Sequence, residues 1–143
     1  MNYYLKFAIG NVEFAVPIDE VKEIARPKKV QKDEKNRRGI FGSFVSRKRK
    51  IIVFDLPQFL RIEPKDTFEV VISEVNHKRI GFKVDKVHGV IAVETLAPIP
   101  DLAKPKNYLR GVVVEDENLV QVLSLTKLLS GTRFASLEKY LYL

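Results

Sequence analysis

The sequence predicts an all-β fold of two similar lobes, built as small barrels or a sandwich, and two observations support this. Several short segments alternate apolar and polar residues with the period of two that is typical of strands, and turn residues separate them. The second half of the chain also repeats the first over nineteen residues without a gap. Two similar lobes that share an interface are suited to binding partners.

The two copies of the repeat differ most in the charge of one turn. Each copy begins at a glycine, Gly42 or Gly111, and continues through an apolar stretch, a charged turn and a second apolar stretch. The first turn is Arg47-Lys48-Arg49-Lys50, and the second is Glu115-Asp116-Glu117-Asn118. The repeat therefore predicts two equivalent hairpins, one basic and one acidic.

Other strand signals follow the chain in order. Three alternating runs are predicted as strands: 14–18, 68–72 and 80–84. In the third run, Gly81, Lys83 and Asp85 are expected to face outward. A turn at Asn76-His77-Lys78 joins the second run to the third as a hairpin, and the series continues over 87–93.

Helical segments are predicted to be few and short. Asp19 can cap a turn that runs through Val21 and Ile24. Asp55 and Ser124 occupy equivalent places in the repeat, thirteen residues after the glycines, and each can cap a helix of one or two turns.

The C-terminal tail carries a helical pattern. Phe134, Leu137 and Leu141 are spaced to share one face of a helix, with Tyr140 beside them. We expect this helix to dock on the protein's own core, and a tail that binds a partner is the alternative.

The positive charge of the chain is local. The net charge is +7, but residues 22–50 hold twelve Lys or Arg against three acidic residues, which is +9, so the remainder carries about −2. A local excess indicates a rim that faces an acidic partner, whereas a solvated loop over 28–38 is the alternative.

Composition indicates a cytoplasmic protein that does not insert into membranes. The chain has no Cys, which fits a reducing compartment and excludes thiolate metal sites. No apolar stretch approaches the roughly 20 residues of a membrane span. The start of the sequence lacks the basic leader and cleavage site of a secretory signal.

The motifs of catalysis are missing, so we expect no enzyme, no cofactor and no metal site. His77 and His88 are the only histidines and lie near no other candidate ligands, and no nucleotide-binding glycine loop is present. A basic barrel that binds nucleic acid is the alternative function. Phe41, Phe44 and Phe54 lie beside the basic residues, but their apolar context favours a place in the core over stacking on bases.

Four blocks in matching order resemble the CheW-like adaptors of bacterial and archaeal chemotaxis over nearly the full chain. The third block is similar to the family pattern V-G-x-x-V-D-x-V, and the second to the block that ends in Asp-Leu. The four blocks are Phe7 to Ile24 with its V-x-E-I segment, Gly42 to Leu56, Ile80 to Val87, and Tyr108 to Leu129. None of these motifs is specific alone, but their order and spacing are.

The resemblance implies two five-stranded β-barrels around a common hydrophobic core, in one domain over residues 1–143. The repeat places the lobes at roughly 14–66 and 67–131, with the N-terminal strand and a C-terminal helix packed on them. It also implies a non-catalytic adaptor that binds the cytoplasmic tip of chemoreceptors and the regulatory domain of a CheA-type histidine kinase.

The resemblance further implies partner contacts. Val21 and Glu23 match the partner-facing pair of the family, with Ile24 beside them, and Val87 lies in the second lobe's part of the receptor groove. Arg47 matches the family's single Arg, followed here by Lys48 and Arg49. A place in the core is the alternative for both valines, and a solvated charge run is the alternative for Arg47.

This chain departs from the family at the basic turn. It has Val45-Ser46-Arg47-Lys48 where the family has Asn-Leu-Arg-Gly, and Ile52 where the family has Pro. Because Gly and Pro are missing, the sequence predicts a regular, extended hairpin with an unusually cationic tip.

Overall fold

In the part of the chain that the structure describes, eleven strands and a few short helices follow one another. The computed structural model describes residues 1–33, 39–99 and 106–138. The strands are β1 Asn2–Ile9, β2 Val12–Pro17, β3 Glu23–Ala25, β4 Gln31–Lys32, β5 Ile40–Ser46, β6 Arg49–Phe54, β7 Glu69–Val75, β8 Lys78–Val84, β9 Lys86–Val93, β10 Leu109–Glu115 and β11 Asn118–Leu123. The helices are a 3-10 turn Ile18–Glu20, α1 Leu56–Leu60, α2 Leu125–Leu128 and α3 Thr132–Glu138.

The strands form two sheets, which confirms the all-β class. The first sheet has the order β10-β11-β2-β1-β9, and the second has the order β3-β7-β8-β6-β5-β4. In both sheets the second strand of a repeat hairpin runs parallel to a strand of another hairpin, β11 beside β2 and β6 beside β8. In the described part of the chain, strand pairing leaves β9, β10, β3 and β4 as edges.

The sheets do not divide the chain where the expected lobes do. The lobes expected at 14–66 and 67–131 would each contain one half of the sequence. Instead, the second sheet takes its strands from the middle of the chain, and the first takes β1 and β2 from one end and β9 to β11 from the other. The reason is the parallel pairing of β11 with β2, a contact between distant residues that leaves no local pattern.

A single large core lies between the sheets. It combines phenylalanines of the first sheet, Phe7 and Phe14, with phenylalanines of the second, Phe54 and Phe82. Leucines of α2 and Phe134 and Leu137 of α3 complete it. The common core is therefore confirmed, and so is the docking of the tail as far as Leu137. The predicted positions Leu141 and Tyr140 lie outside the described residues.

The repeat is visible as two hairpins with the same backbone plan. The turns Arg47-Lys48 and Asp116-Glu117 have positive φ at both residues, between 46° and 70°. Both hairpins have a register shift at their base, beside Gly42 and beside Gly111. Two-residue turns of this mirror-image type match the twist of the strands that they join.

The repeat glycines are explained by close backbone approach. A Cβ built on Gly42 would lie 2.4 Å from the carbonyl oxygen of Gln31 in β4, and one on Gly111 would lie 2.7 Å from the carbonyl oxygen of Ala97. Ala97 forms an isolated bridge to Val112 of β10. In both lobes a short segment therefore pairs with the first strand of the hairpin at a place where only glycine fits.

Two of the predicted helix caps are confirmed. The Asp55 side chain accepts a hydrogen bond from the Gln58 amide of α1 at 3.2 Å. The Ser124 hydroxyl accepts one from the Lys127 amide of α2 at 3.3 Å. The cap predicted at Asp19 is wrong, because the 3-10 turn begins at Ile18 and has no side-chain cap. Beyond residue 20 the chain becomes extended, and Glu23 pairs with Ile72 of β7.

The prediction that Gly81, Lys83 and Asp85 face outward is also wrong. Lys83 and Asp85 are buried, and Gly81 lies against the side chain of Val70. β8 is an inner strand of the second sheet, with the large core on one face and a smaller apolar cluster on the other. An inner strand that is covered on both faces has no solvent side. Lys83 ends between two rings, with its Nζ 5.3 Å from the centroid of Phe41.

Asp85 links three parts of the chain. Its Oδ2 accepts hydrogen bonds from the backbone amides of Gly10 at 2.6 Å and Lys65 at 2.9 Å. Gly10 belongs to the β1–β2 turn, and Lys65 lies in the segment between α1 and β7. A buried carboxylate with two amide donors therefore joins the two sheets.

Candidate partner-binding site

The two edges of the second sheet border a cleft of about 1040 Å³. One wall is β3 and the segment that leads to β4, and the other is the β5–β6 hairpin. We call it the basic cleft. Its lining residues are Glu23, Ile24, Ala25, Arg26, Pro27, Lys28, Lys29, Val30, Gln31, Ser43, Phe44, Val45, Ser46 and Lys50.

The basic cleft carries a positive rim around an apolar base. Four of its lining residues are cations, Arg26, Lys28, Lys29 and Lys50, and Glu23 is the one acid among them. The Glu23 carboxylate lies 3.7 Å from the guanidinium of Arg79, so its charge is partly neutralised. An open, cationic cleft of this kind favours acidic ligands.

Arg26 is fixed at one end of the basic cleft by a buried acid. Its guanidinium pairs with Glu69, whose residue exposure is 8%. The other oxygen of Glu69 accepts a hydrogen bond from the amide of Val87 at 2.8 Å. Glu69 therefore connects the cleft wall to β9 of the first sheet.

The tip of the β5–β6 hairpin extends the positive surface. Arg47, Lys48 and Arg49 are exposed, and within the described residues none of them forms an ion pair. The strands stay in register up to the pair Ser46 and Arg49. The tip of the hairpin is therefore regular, as the absence of the family's Gly and Pro predicted. The register shift lies at the base of the hairpin.

The remaining predicted residues lie beside the core. Val21, Ile24 and Val87 are partly buried and pack against the large apolar cluster. The structure therefore brings Glu23 and Ile24 together with the basic hairpin, whereas Val21 and Val87 do not line the cleft. Both valines therefore pack against the core and are still partly exposed.

Glu20 was missed by sequence reasoning and fixes the segment that leads into β3. Its carboxylate accepts hydrogen bonds from the Ser124 hydroxyl at 2.7 Å and from the Leu125 amide at 2.6 Å. The negative charge at the start of α2 is favourable there. Ser124 was recognised as a cap, but no local pattern shows that an acid 104 residues earlier would meet it.

The acidic hairpin, β10–β11, is held on the first sheet by a lysine. Lys6 Nζ lies 2.6 Å from the Glu115 carboxylate and 3.7 Å from that of Glu13. The hydrogen bond with Glu115 is the main reason that the pKa of Lys6 is raised above its ordinary 10.5, and burial opposes the rise.

This pair predicts a pH-dependent contribution to stability. Because the folded pKa of Lys6 is raised, its stabilisation is fully present below pH 10.5 and is lost as the pH rises through the folded pKa. In urea unfolding from about pH 9 to about pH 11.5, the advantage of the wild type over Lys6→Met should shrink. Lys86→Met, at an exposed position, is the control. An advantage that stays constant over this range would contradict the prediction.

The aromatic residues near the basic cleft are not placed to stack on bases. Phe44 and Phe54 are buried at 7% and 4% exposure. The Phe41 ring has lysine ammonium groups against it, from Lys32 at 5.7 Å and Lys83 at 5.3 Å. Because single-strand binding by small barrels depends on accessible rings, the geometry does not favour nucleic acid.

The part of the chain that the structure describes contains no group of three side chains suited to a metal ion. His77 lies in the β7–β8 turn, 4.0 Å from Glu74, and His88 lies on β9. Among the described residues, no helix is long and apolar enough to cross a membrane.

Comparison with known proteins agrees with this geometry. The sequence model of the CheW-like domain matches residues 3–133. The fold is similar to that of the scaffolding protein TtCheW from Thermoanaerobacter tengcongensis, with a TM-score of 0.79 and 20% identity over 92% of this chain and 90% of that one. No curated protein matches the chain in a sequence search. With a family match that spans nearly all of its length, the chain belongs to the CheW-like domain family.

Proposed function

We propose that this protein is a non-catalytic scaffold that couples chemoreceptors to a CheA-type histidine kinase in the cytoplasm. Its membership of the CheW-like family supports an adaptor role. The observation that carries the proposal is the basic cleft, where Glu23 and Ile24 of the V-x-E-I segment lie opposite the β5–β6 hairpin. Residues from two separate parts of the family pattern thus form one surface.

The chemistry of the basic cleft suits a directional contact with an acidic partner. Ile24 and Val45 supply apolar area, and Val45 is 72% exposed. Arg47, at the hairpin tip beyond the residues that line the cleft, can donate two parallel hydrogen bonds to a carboxylate, which fixes orientation as well as affinity. Such interfaces are small, and a few residues dominate their binding energy.

The valines near the core define a second part of the proposed surface. Val21 directly precedes the cleft wall, and Val87 is joined to it through Glu69. We propose that their exposed portions contact the helical receptor tip, in the manner of a helix docked in a groove. The basic hairpin, with Arg47, Lys48 and Arg49, then contacts the regulatory domain of the kinase.

The test is the charge reversal Arg47→Glu. Binding to the regulatory domain should weaken about tenfold, because the new carboxylate repels the partner's acid. The thermal midpoint should barely change, since Arg47 is exposed and forms no ion pair within the described residues. Isothermal calorimetry with the purified regulatory domain and with a receptor cytoplasmic fragment measures both partners.

His77→Glu is the matched control, because His77 occupies a hairpin turn of the same positive-φ type. It should leave both affinities unchanged. Equal binding by wild type and Arg47→Glu would remove Arg47 from the site. A wild-type protein that binds neither partner would overturn the proposed function.

A further inference from the structure

A second pocket of the second sheet lies at the base of the β5–β6 hairpin. Its walls are α1, the segment 61–64, Phe41 of β5 and Lys83 of β8, and its volume is about 460 Å³. We call it the Lys83 pocket. It shares no lining residue with the basic cleft. Pockets that bind small molecules have volumes of about 300–1,000 Å³, so this one has room for such a ligand.

Lys83 brings a buried charge to this pocket without an acidic partner. Its residue exposure is 6%, and its ammonium group lies 5.3 Å from the ring centroid of Phe41 and 5.7 Å from that of Phe68. Within the described residues it forms no ion pair. The face of a ring attracts a cation but has no net charge to neutralise it. Because a buried charge is stable only when it is compensated, Lys83 indicates a ligand with a negative group.

The fold itself does not require a cation at this place. The pairing of β11 with β2 and of β6 with β8 makes Pro17 the counterpart of Lys83 in the first sheet. Pro17 lines a pocket of about 400 Å³ together with Arg110, the repeat counterpart of Phe41. The two pockets are therefore equivalent, and the one in the second sheet has a lysine where the other has a proline. The architecture that both copies share does not explain this lysine.

The other charges of the Lys83 pocket restrict the class of ligand. Arg61 adds a second cation at the C-terminal cap of α1, and Asp55 and Glu63 add two carboxylates. The side chain of Asp55 already accepts the Gln58 amide, so Glu63 is the more available acid. An inorganic anion such as phosphate would be repelled by these carboxylates. A ligand with one carboxylate and one ammonium group complements both signs.

We propose that the Lys83 pocket binds a free α-amino acid with an apolar side chain. The carboxylate of the ligand would face Lys83 and Arg61, and its ammonium group would face Glu63. Its side chain would lie against Phe41 and Ile62, which belong to the apolar part of the wall. The site is separate from the basic cleft, and the proposal does not depend on a receptor or a kinase.

The test is a titration of the isotope-labelled protein with L-leucine, followed by nuclear magnetic resonance. Leucine should bind with a Kd of about 1 mM or tighter and should shift amide signals of α1 and β8. Three related compounds each lack one group: isocaproate lacks the ammonium, isoamylamine lacks the carboxylate, and glycine lacks the apolar side chain. Each should bind at least about tenfold more weakly than leucine, because one part of the pocket is left without its partner.

Two variants assign the charges of the ligand to residues of the pocket. Lys83→Met removes the ammonium group but keeps a side chain of similar length, and it should weaken leucine binding at least about tenfold. Glu63→Gln is exposed and should weaken leucine binding while the affinity for isocaproate stays the same. Lys86→Met, at an exposed position outside the pocket, is the matched control and should bind leucine like the wild type.

Circular dichroism checks that every variant is folded. A wild type whose amide signals do not shift at about 20 mM leucine would overturn the proposal. So would a folded Lys83→Met protein with the affinity of the wild type. Equal binding of leucine and isocaproate by the wild type would overturn the assignment to amino acids.

Discussion

Replacing Asp85 by alanine is expected to lower the free energy of unfolding by about 3–5 kcal/mol. Asp85 is 2% exposed, and its Oδ2 receives the amides of Gly10 and Lys65. Alanine would leave both partly buried hydrogen bonds without an acceptor, and each unpaired donor costs about 1–3 kcal/mol. The hydrogen bonds of Asp85 that connect the two sheets would be lost. Urea unfolding, followed by circular dichroism, measures the change.

Asp66→Ala is the matched control, because it removes the same charge from a nearby exposed position. It should change the free energy of unfolding by less than about 0.5 kcal/mol. Asp85→Asn keeps one acceptor oxygen and should fall between the two. A loss below about 1 kcal/mol for Asp85→Ala would show that water or a shifted backbone replaces the carboxylate.

Replacing Gly42 by alanine should reshape the basic cleft while most of the fold remains. The new Cβ would lie 2.4 Å from the carbonyl oxygen of Gln31 and 3.0 Å from the Cα of Lys32, so β4 must move away from β5. Overpacking of this kind costs about 1–3 kcal/mol. The segment with Lys28 and Lys29 moves with β4, so binding to an acidic partner should weaken although every cation remains.

Ser43→Ala is the control, because Ser43 neighbours Gly42 in the same strand, lines the cleft and gains no atom. Denaturant unfolding and calorimetry with the kinase regulatory domain give the two readouts. Unchanged affinity for Gly42→Ala, with a normal unfolding curve, would mean that the position of β4 does not matter to binding.

Local features of this fold could be predicted from sequence because local residues determine them. The caps at Asp55 and Ser124 require only a polar side chain before a short apolar helix. The hairpin at Asn76-His77 requires only two alternating runs and a short gap. The equivalence of Gly42 and Gly111 was also visible, although its cause is the approach of Gln31 in one lobe and Ala97 in the other.

Features that depend on distant residues could not be predicted in the same way. The parallel pairing of β11 with β2 decides which strands share a sheet, and no periodicity records it. Lys83 and Asp85 have the sequence pattern of a solvent face, but an inner strand has no such face. Glu20 meets α2 only after the whole chain has folded.

The candidate site shows the same division. The basic turn and the V-x-E-I segment were each found as sequence patterns. Only the folded structure shows that β3, the segment after it and the β5–β6 hairpin border one cleft. The cationic character of the cleft could be predicted, whereas its shape could not.

The composition of the first sheet has a consequence for synthesis on the ribosome. All strands of the second sheet are present once residue 84 has been made, so this sheet can form early. The β1–β2 hairpin leaves the ribosome before it, yet its neighbours β9 and β11 follow much later. Translation adds about 5–20 residues per second, so the hairpin waits several seconds with its edges unpaired. The first strands to be made are thus completed by the last.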